Sequence, residues 1–108
     1  MNTNMEKIVK QGLLYDFYGA LLTEHQRSIY EAFVYDNMSL SEIAADQGIS
    51  RQGVHDLVKR CDKILEEYEV KLRLVEKFMN IKDKVEQIEN KAEDNEIKSL
   101  AKNILEQL

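Results

Sequence analysis

The sequence contains no proline, one cysteine and only four glycines among its 108 residues. Without proline there is no obligatory helix break, and the lone cysteine, Cys61, excludes an internal disulfide and suits a reducing compartment. No apolar run approaches the ~20 residues that cross a bilayer, and the N-terminal segment lacks the apolar core of a signal peptide. These features predict an all-helical, cytoplasmic protein without a membrane span.

Sequence motifs that carry catalysis are also missing. There is no glycine-rich phosphate loop, no nucleophile elbow and no metal-ligand spacing of histidine, cysteine and carboxylate residues. His25 is expected in an exposed first helical turn, and Cys61 falls on an apolar stripe where a buried structural thiol is expected. We therefore expect no enzyme activity, no catalytic residues, no cofactor and no metal.

The stretch Ser39–Arg60, SLSEIAADQGISRQGVHDLVKR, has the pattern of a helix-turn-helix. Ser39 and Glu42 form a capping box, Gly48 suits the left-handed conformation of a tight turn, and Ser50 caps the second helix. The apolar positions expected to pack the two helices together and to plug the turn are Ile43, Ala44, Ile49, Val54, Leu57 and Val58. The agreement of caps, glycine and apolar spacing predicts two helices that cross at close range.

The motif lies within a longer segment, LLTEHQRSIYEAFVYDNMSLSEIAADQGISRQGVHDLVKRCDKILEEYEVKL, which YDFYGA precedes and LRLVEKF follows. Over residues 13–80 the sequence resembles the YlxM family of small bacterial helix-turn-helix proteins. Its Thr23–Lys63 part also resembles region four of bacterial sigma factors. The resemblance implies a DNA-binding-like, all-α bundle without the wing of winged-helix proteins. It also implies a regulatory role in the signal recognition particle pathway, with components of that particle as partners.

The second helix of the motif predicts a nucleic-acid-binding face. Its candidate contact residues, which lie away from the apolar stripe, are Ser50, Arg51, Gln52, His55, Lys59 and Lys63. Arginine prefers guanine, glutamine prefers adenine, and lysine suits phosphate. The alternative is a polar face that meets only solvent or a protein partner, because Asp56 would repel phosphate and Gly53 removes a possible contact side chain.

The charge distribution keeps two further functions open. The net charge is −5, made up of −2 over residues 1–36, 0 over residues 37–60 and −3 over residues 61–108. An acidic chain has no overall attraction to a polyanion. One alternative is therefore a protein-interaction module on a helix-turn-helix fold with weak or no DNA binding. Another is an accessory factor that binds structured RNA, although no RNA-binding signature supports it.

Two helices are expected before the motif. The first is predicted over Glu6–Leu21, and the second starts at a capping box of Thr23 and Gln26 and ends near Tyr35. The residues expected on their inner faces are Met5, Ile8, Val9, Leu13, Phe17, Ala20 and Leu21 in the first helix, and Ile29, Tyr30, Phe33 and Val34 in the second. The aromatic residues Tyr15, Phe17 and Tyr18 are expected in the core and rim of a small bundle, with a base-stacking platform as the alternative.

The C-terminal half predicts a helical extension. Residues 1–60 are expected to form the bundle with the motif, and residues 61–108 the extension. Its apolar stripe continues without glycine or proline to Ala92, so the helix either breaks near Asn80 or meets a second subunit. Asp94 or Asn95 caps a last helix that folds back. Because this helix is too short to cover the stripe, we expect a homodimer held by the C-terminal half.

Overall fold

The computed structural model describes residues 3–108, and these residues form six α-helices and one short 3-10 turn. The helices are α1 (Thr3–Tyr18, followed by the 3-10 turn Gly19–Leu21), α2 (Glu24–Val34), α3 (Leu40–Gln47), α4 (Arg51–Leu72), α5 (Leu74–Lys91) and α6 (Asn95–Gln107). The described part of the chain contains no β-strand. The predicted all-α helix-turn-helix fold is confirmed.

Both predicted capping boxes are present. The Thr23 hydroxyl accepts a hydrogen bond from the Gln26 amide at 3.2 Å, and the Gln26 side chain accepts one from the Thr23 amide at 3.0 Å. Ser39 and Glu42 make the same pair at 3.1 and 3.0 Å. The hydrogen bond from the Ser39 amide lowers the pKa of the Glu42 carboxyl. Each box satisfies amides that the first turn of a helix leaves without partners.

Helices α1–α4 form the first of two compact units, which ends at Leu72. Helix α4 contacts α1, α2 and α3, and runs without interruption past Arg60 to the end of the unit. The apolar residues buried in this unit are Leu14, Tyr18, Leu22, Ile29, Tyr30, Val34, Ile43, Ala44, Val54, Val58, Cys61 and Leu65. Cys61 is buried, as predicted, and this burial raises the pKa of its thiol to about 11.

Helix α1 buries a different face from the predicted one. Its buried residues are Gln11, Leu14 and Tyr18, whereas Ile8 and Val9 are exposed by 41% and 58%. Leu21 and Ala20 are exposed too, Leu13 and Phe17 are half-buried, and Met5 lies outside the residues whose side chains are described. The predicted inner face of α1 was therefore wrong.

The polar groups on α1 explain this orientation. Gln11 donates a hydrogen bond to Asp62 of α4 at 2.9 Å, and the Tyr18 hydroxyl donates one to Glu69 of α4 at 2.6 Å. Turning α1 to bury Ile8 and Val9 would break both bonds, and each group left without a partner in a protein interior costs free energy. The observed orientation therefore keeps both hydrogen bonds and buries Leu14 and Tyr18 in place of Ile8 and Val9.

Four tyrosine hydroxyls in the described residues donate to carboxylates on other helices. The pairs are Tyr15 with Glu31, Tyr18 with Glu69, Tyr30 with Asp62, and Tyr35 with Asp16. Burial, reinforced by the hydrogen-bonded carboxylate, raises the pKa of Tyr15 to about 12 and also raises the pKa of Tyr30 and Tyr35. Tyr18 is 1% exposed, which confirms its place in the core.

The second compact unit, Arg73–Leu108, is a hairpin of α5 and α6. The helix break falls at Arg73, which adopts a left-handed conformation with φ of 57°, and not near Asn80, which lies inside α5. Asp94 caps α6 by accepting hydrogen bonds from the amides of Glu96 at 2.7 Å and Ile97 at 3.3 Å. The predicted cap is therefore confirmed, and the predicted position of the break was wrong.

Candidate nucleic-acid interface

The turn between α3 and α4 is built by one glycine and one serine. Gly48 takes a left-handed conformation with φ of 69°, which an L-residue adopts only at a cost, and its amide bonds to the carbonyl of Ala44. The Ser50 hydroxyl then accepts the Gly53 amide at 2.9 Å and starts α4. Ile49 is 37% exposed, so the prediction that it plugs the turn was wrong.

The two helices of the motif pack through the residues that the sequence indicated. Val54 is fully buried, and Ile43, Ala44 and Val58 are buried, while Leu57 is half-buried. This contact fixes which side of α4 faces the core and therefore which side faces outward.

The predicted contact residues lie together on the outward side of α4. Ser50, Arg51, Gln52, His55, Lys59 and Lys63 are all exposed. Positions four residues apart lie on one face of a helix, so Arg51, His55, Lys59 and Lys63 form one row. Ser50 precedes the helix, and its hydroxyl is occupied by the cap. The side chains that remain available are thus those of the helix itself.

Asp56 is engaged by two of these side chains. Gln52 donates a hydrogen bond from Nε2 to Oδ1 of Asp56 at 2.9 Å, and Nδ1 of His55 lies 3.6 Å from the same oxygen. A glutamine that reads adenine must present its amide to the base edge, and Asp56 holds one end of that amide. The carboxylate therefore orients Gln52 as well as placing a negative charge on the face.

Lys7 is a candidate contact that sequence reasoning missed. It comes from α1, yet it lines one depression together with His55 and Lys59 of α4. The pairs Gln11–Asp62 and Tyr18–Glu69 show that α1 runs in the same direction as α4, which brings the start of α1 to the row of polar residues. Only the packing of α1 against α4 reveals this neighbour.

The charge of the first unit surrounds the candidate interface. This unit carries eight basic and twelve acidic residues, a net charge of −4, so the basic row on α4 lies in an acidic surrounding.

A separate finding concerns membranes. Among residues 3–108, no helix is both long and apolar enough to cross a membrane.

A short helix, a left-handed glycine turn and a second helix with an outward polar row define a helix-turn-helix protein. Comparison with known families agrees. The model of the UPF0122 family, described as "Putative helix-turn-helix protein, YlxM / p13 like", matches residues 5–104. The chain belongs to this family.

Similar proteins occur in several bacteria. A UPF0122 protein of Caldanaerobacter subterraneus is 53% identical over 76 residues, which are 70% of this chain and 65% of the relative. One from Geobacillus is 45% identical over 86 residues, covering 80% of this chain and 78% of the relative. One from Clostridium botulinum is 51% identical over 75 residues, covering 69% of each chain. The match to the Caldanaerobacter protein thus spans somewhat under two thirds of the length of that relative.

Proposed function

We propose that the protein is a dimeric, non-enzymatic regulator that binds nucleic acid, with DNA as the first target, through the outward row of α4. The observation that carries the proposal is the coincidence of two independent features. The turn and core residues form a helix-turn-helix, and the residues left outward, Arg51, Gln52, His55 and Lys59, include the types that read base edges and phosphates.

The contacts divide into two kinds. Arg51 and Gln52 lie at the start of α4, the part of a recognition helix that reaches base edges. Lys59 and Lys63 lie further along and carry point charges suited to phosphates. Two phosphate contacts per chain make four in the proposed dimer, so the logarithm of the DNA-binding constant should fall with the logarithm of salt concentration with a slope of about −3.6.

A salt-dependent titration of fluorescent duplex DNA tests the proposal. Lys59→Gln removes one contact from each chain of the dimer, so it should reduce the magnitude of the slope by about 2 and weaken all sequences alike. Arg51→Ala should cost about 1–3 kcal/mol at a specific site and relax its specificity. The matched control is Lys82→Gln, which removes the same charge from α5. A slope near zero in the unmodified protein would contradict DNA binding.

The acidic charge of the first unit favours a second candidate function. A net charge of −4 opposes approach to a polyanion, so a protein-interaction module would explain the same fold without DNA. The titration separates the two functions. A module that binds only proteins would not show DNA binding that weakens with salt through counterion release.

The α5–α6 hairpin supports the dimer. Among the residues of this unit only Val85 and Ala101 are buried. Large apolar residues stay 44–57% exposed along both helices, namely Ile81, Ile88, Ile97, Leu100, Ile104 and Leu108. Two helices with so little buried apolar surface do not make a stable unit in water. We infer that a further surface covers this face.

A second copy of the chain fits that face. The hairpin carries seven basic and eight acidic residues, a net charge of −1, so two hairpins approach with little repulsion. Pairing two hairpins would produce a four-helix arrangement with a common apolar core. A two-fold axis would then present two copies of α4, as palindromic DNA sites require.

Light scattering tests the dimer. We expect a mass of twice the 12.6 kDa of one chain. Ile88→Glu with Ile104→Glu should give monomers, whereas the control pair Asn90→Glu with Ser99→Glu adds the same charge at exposed polar positions and should leave the dimer intact. A monomeric mass for the unmodified protein at micromolar concentration would rule out this assembly.

The family resemblance supports a place of action. We propose that the protein acts in the cytoplasm, in or on the signal recognition particle pathway. Because that particle contains RNA, the same titration with a structured RNA hairpin and with the purified particle provides the test. Binding to duplex DNA alone would contradict this part of the proposal.

A further inference from the structure

A depression opens beside the outward row of α4, within the first unit. Its walls come from four helices, with Lys7 and Ile8 from α1, Phe33 from α2, Leu40 from α3, and His55 and Lys59 from α4. Its volume is about 360 Å³. Small-molecule sites have volumes of roughly 300–1,000 Å³, so this space, called here the α1–α4 depression, suits a small ligand.

The floor of the depression is apolar and partly uncovered. Ile8 is 41% exposed, and Phe33 and Leu40 are half-buried, although each would gain from leaving water. Val58 completes this floor from α4. An apolar body placed in the depression would cover these side chains and gain their hydrophobic free energy.

The polar side of the depression is fixed before any ligand binds. Gln11, only 5% exposed, donates to Oδ1 of Asp62 at 2.9 Å, and the Tyr30 hydroxyl donates to the same oxygen at 2.5 Å. Two donors share the negative charge of Asp62, which is the only carboxylate among the described residues that line the depression. Lys7 and Lys59 supply two ammonium groups, and His55 adds an imidazole.

Together these features specify a class of ligand. We propose that the α1–α4 depression binds a small amphipathic anion, with an apolar body on Ile8, Phe33 and Leu40 and a carboxylate or phosphate group held by Lys7 and Lys59. A space of 360 Å³ corresponds to about twelve water volumes of ~30 Å³ each, which sets the size of the ligand at about twelve non-hydrogen atoms.

Occupancy of the depression affects the nucleic-acid face because the two share His55 and Lys59. A ligand that uses the ammonium of Lys59 takes it from phosphate, so ligand and nucleic acid bind antagonistically, and each weakens the other by the same factor. This second step rests on the proposed function, whereas binding of the ligand does not.

Two probe molecules and one neutral analogue test ligand binding. The probes are 4-phenylbutyrate and phenyl phosphate, which separate a carboxylate from a phosphate source, and the neutral analogue is 4-phenylbutanol. Titration into the ¹⁵N-labelled full chain, followed by amide chemical shifts, should show saturable changes at Lys7, Ile8, Leu40 and His55 at millimolar concentration for at least one anion. The alcohol should bind more weakly than the better anion.

Variants locate the site. Lys7→Gln and Lys59→Gln should each weaken the better anion about three- to fivefold, the loss expected for one exposed charge contact. Lys82→Gln, which removes the same charge from α5, should leave the affinity unchanged. Absence of saturable shifts, equal affinity for the alcohol, or equal weakening by all three variants would overturn the proposal.

A competition experiment separates the two proposals. If the protein binds duplex DNA, anion at a concentration near its dissociation constant should lower the DNA affinity of the unmodified chain and have a smaller effect in Lys7→Gln, which binds less of it. Anion binding by a chain that fails to bind DNA would leave the ligand site standing and refute the proposed nucleic-acid function. DNA affinity unchanged by bound anion would overturn the antagonism alone.

Discussion

The hydrogen bonds at Asp62 predict a large effect of a small substitution, Tyr30→Phe. Tyr30 has no exposed surface, and its hydroxyl donates to Asp62, which also accepts from Gln11. The substitution removes one oxygen and leaves the half-buried carboxylate with one of these two donors. Hydrogen bonds to charged groups contribute about 1.5–3 kcal/mol, so we expect a loss of about 2 kcal/mol in the free energy of unfolding at neutral pH.

Urea denaturation followed by circular dichroism measures this loss. Tyr68→Phe is the matched control, since the Tyr68 hydroxyl makes no hydrogen bond within the described residues, and it should change stability by less than about 0.5 kcal/mol. A double-mutant cycle with Asp62→Asn should give a coupling energy of about 0.5–3 kcal/mol. Equal, small losses for Tyr30→Phe and Tyr68→Phe would refute the reasoning.

The same substitution changes the response to alkaline pH. The folded pKa of Tyr30 is raised above its ordinary value of 10. The contribution of this group to stability is therefore complete below pH 10 and is lost as the pH rises toward the folded pKa. Tyr30→Phe should lose less stability above pH 10 than the unmodified protein, although Tyr15 and Tyr35 keep part of the dependence. An unchanged alkaline profile would contradict the assignment.

Three further predictions concern the motif. Gly48→Ala should lower the free energy of unfolding, measured by urea denaturation, by about 1–2 kcal/mol, because alanine is strained in the left-handed conformation. No atom lies within 4 Å of the added Cβ, so a steric clash adds nothing to this cost. Gly48→Asn should cost less. Asp56→Asn should raise the affinity for duplex DNA about threefold, since a charge ~7 Å from a phosphate in water is worth about 0.6 kcal/mol, and unchanged affinity would place Asp56 away from DNA. Because the pKa of Glu42 is lowered in the folded state, its ionised carboxylate stabilises the fold at pH values above the ordinary glutamate pKa. This stabilisation is lost as the pH falls through the folded pKa, so the stability of Glu42→Gln should depend less steeply on pH in the acid range.

Features decided by neighbouring residues were predictable from the sequence. The caps at Thr23, Ser39 and Asp94 and the left-handed glycine at Gly48 depend on contacts within a few residues, so residue type and spacing suffice. The outward row of α4 followed because Val54 and Val58 leave little choice for the buried face. The sequence could therefore predict which side chains of α4 are exposed on its outward face.

Features decided by distant residues were not predictable. Two apolar stripes lie side by side on α1, and the buried one is the stripe that also places Gln11 and Tyr18 in hydrogen bonds to α4. Hydrophobic spacing carries no information about those partners. Arg73 in a left-handed conformation gives no signal either, since glycine or asparagine usually occupies such a position. The place of Lys7 beside His55 and Lys59 depends on the orientation of α1 and was missed for the same reason.

Cys61 is a natural probe for transient opening of the first unit. The chain has one cysteine, its side chain is fully buried in the first unit, and the raised pKa keeps it protonated at neutral pH. A thiol reagent can reach the sulfur only during transient opening of α1, α2 or α3 from α4. The rate of labelling therefore reports on the opening equilibrium of the first unit without an engineered probe.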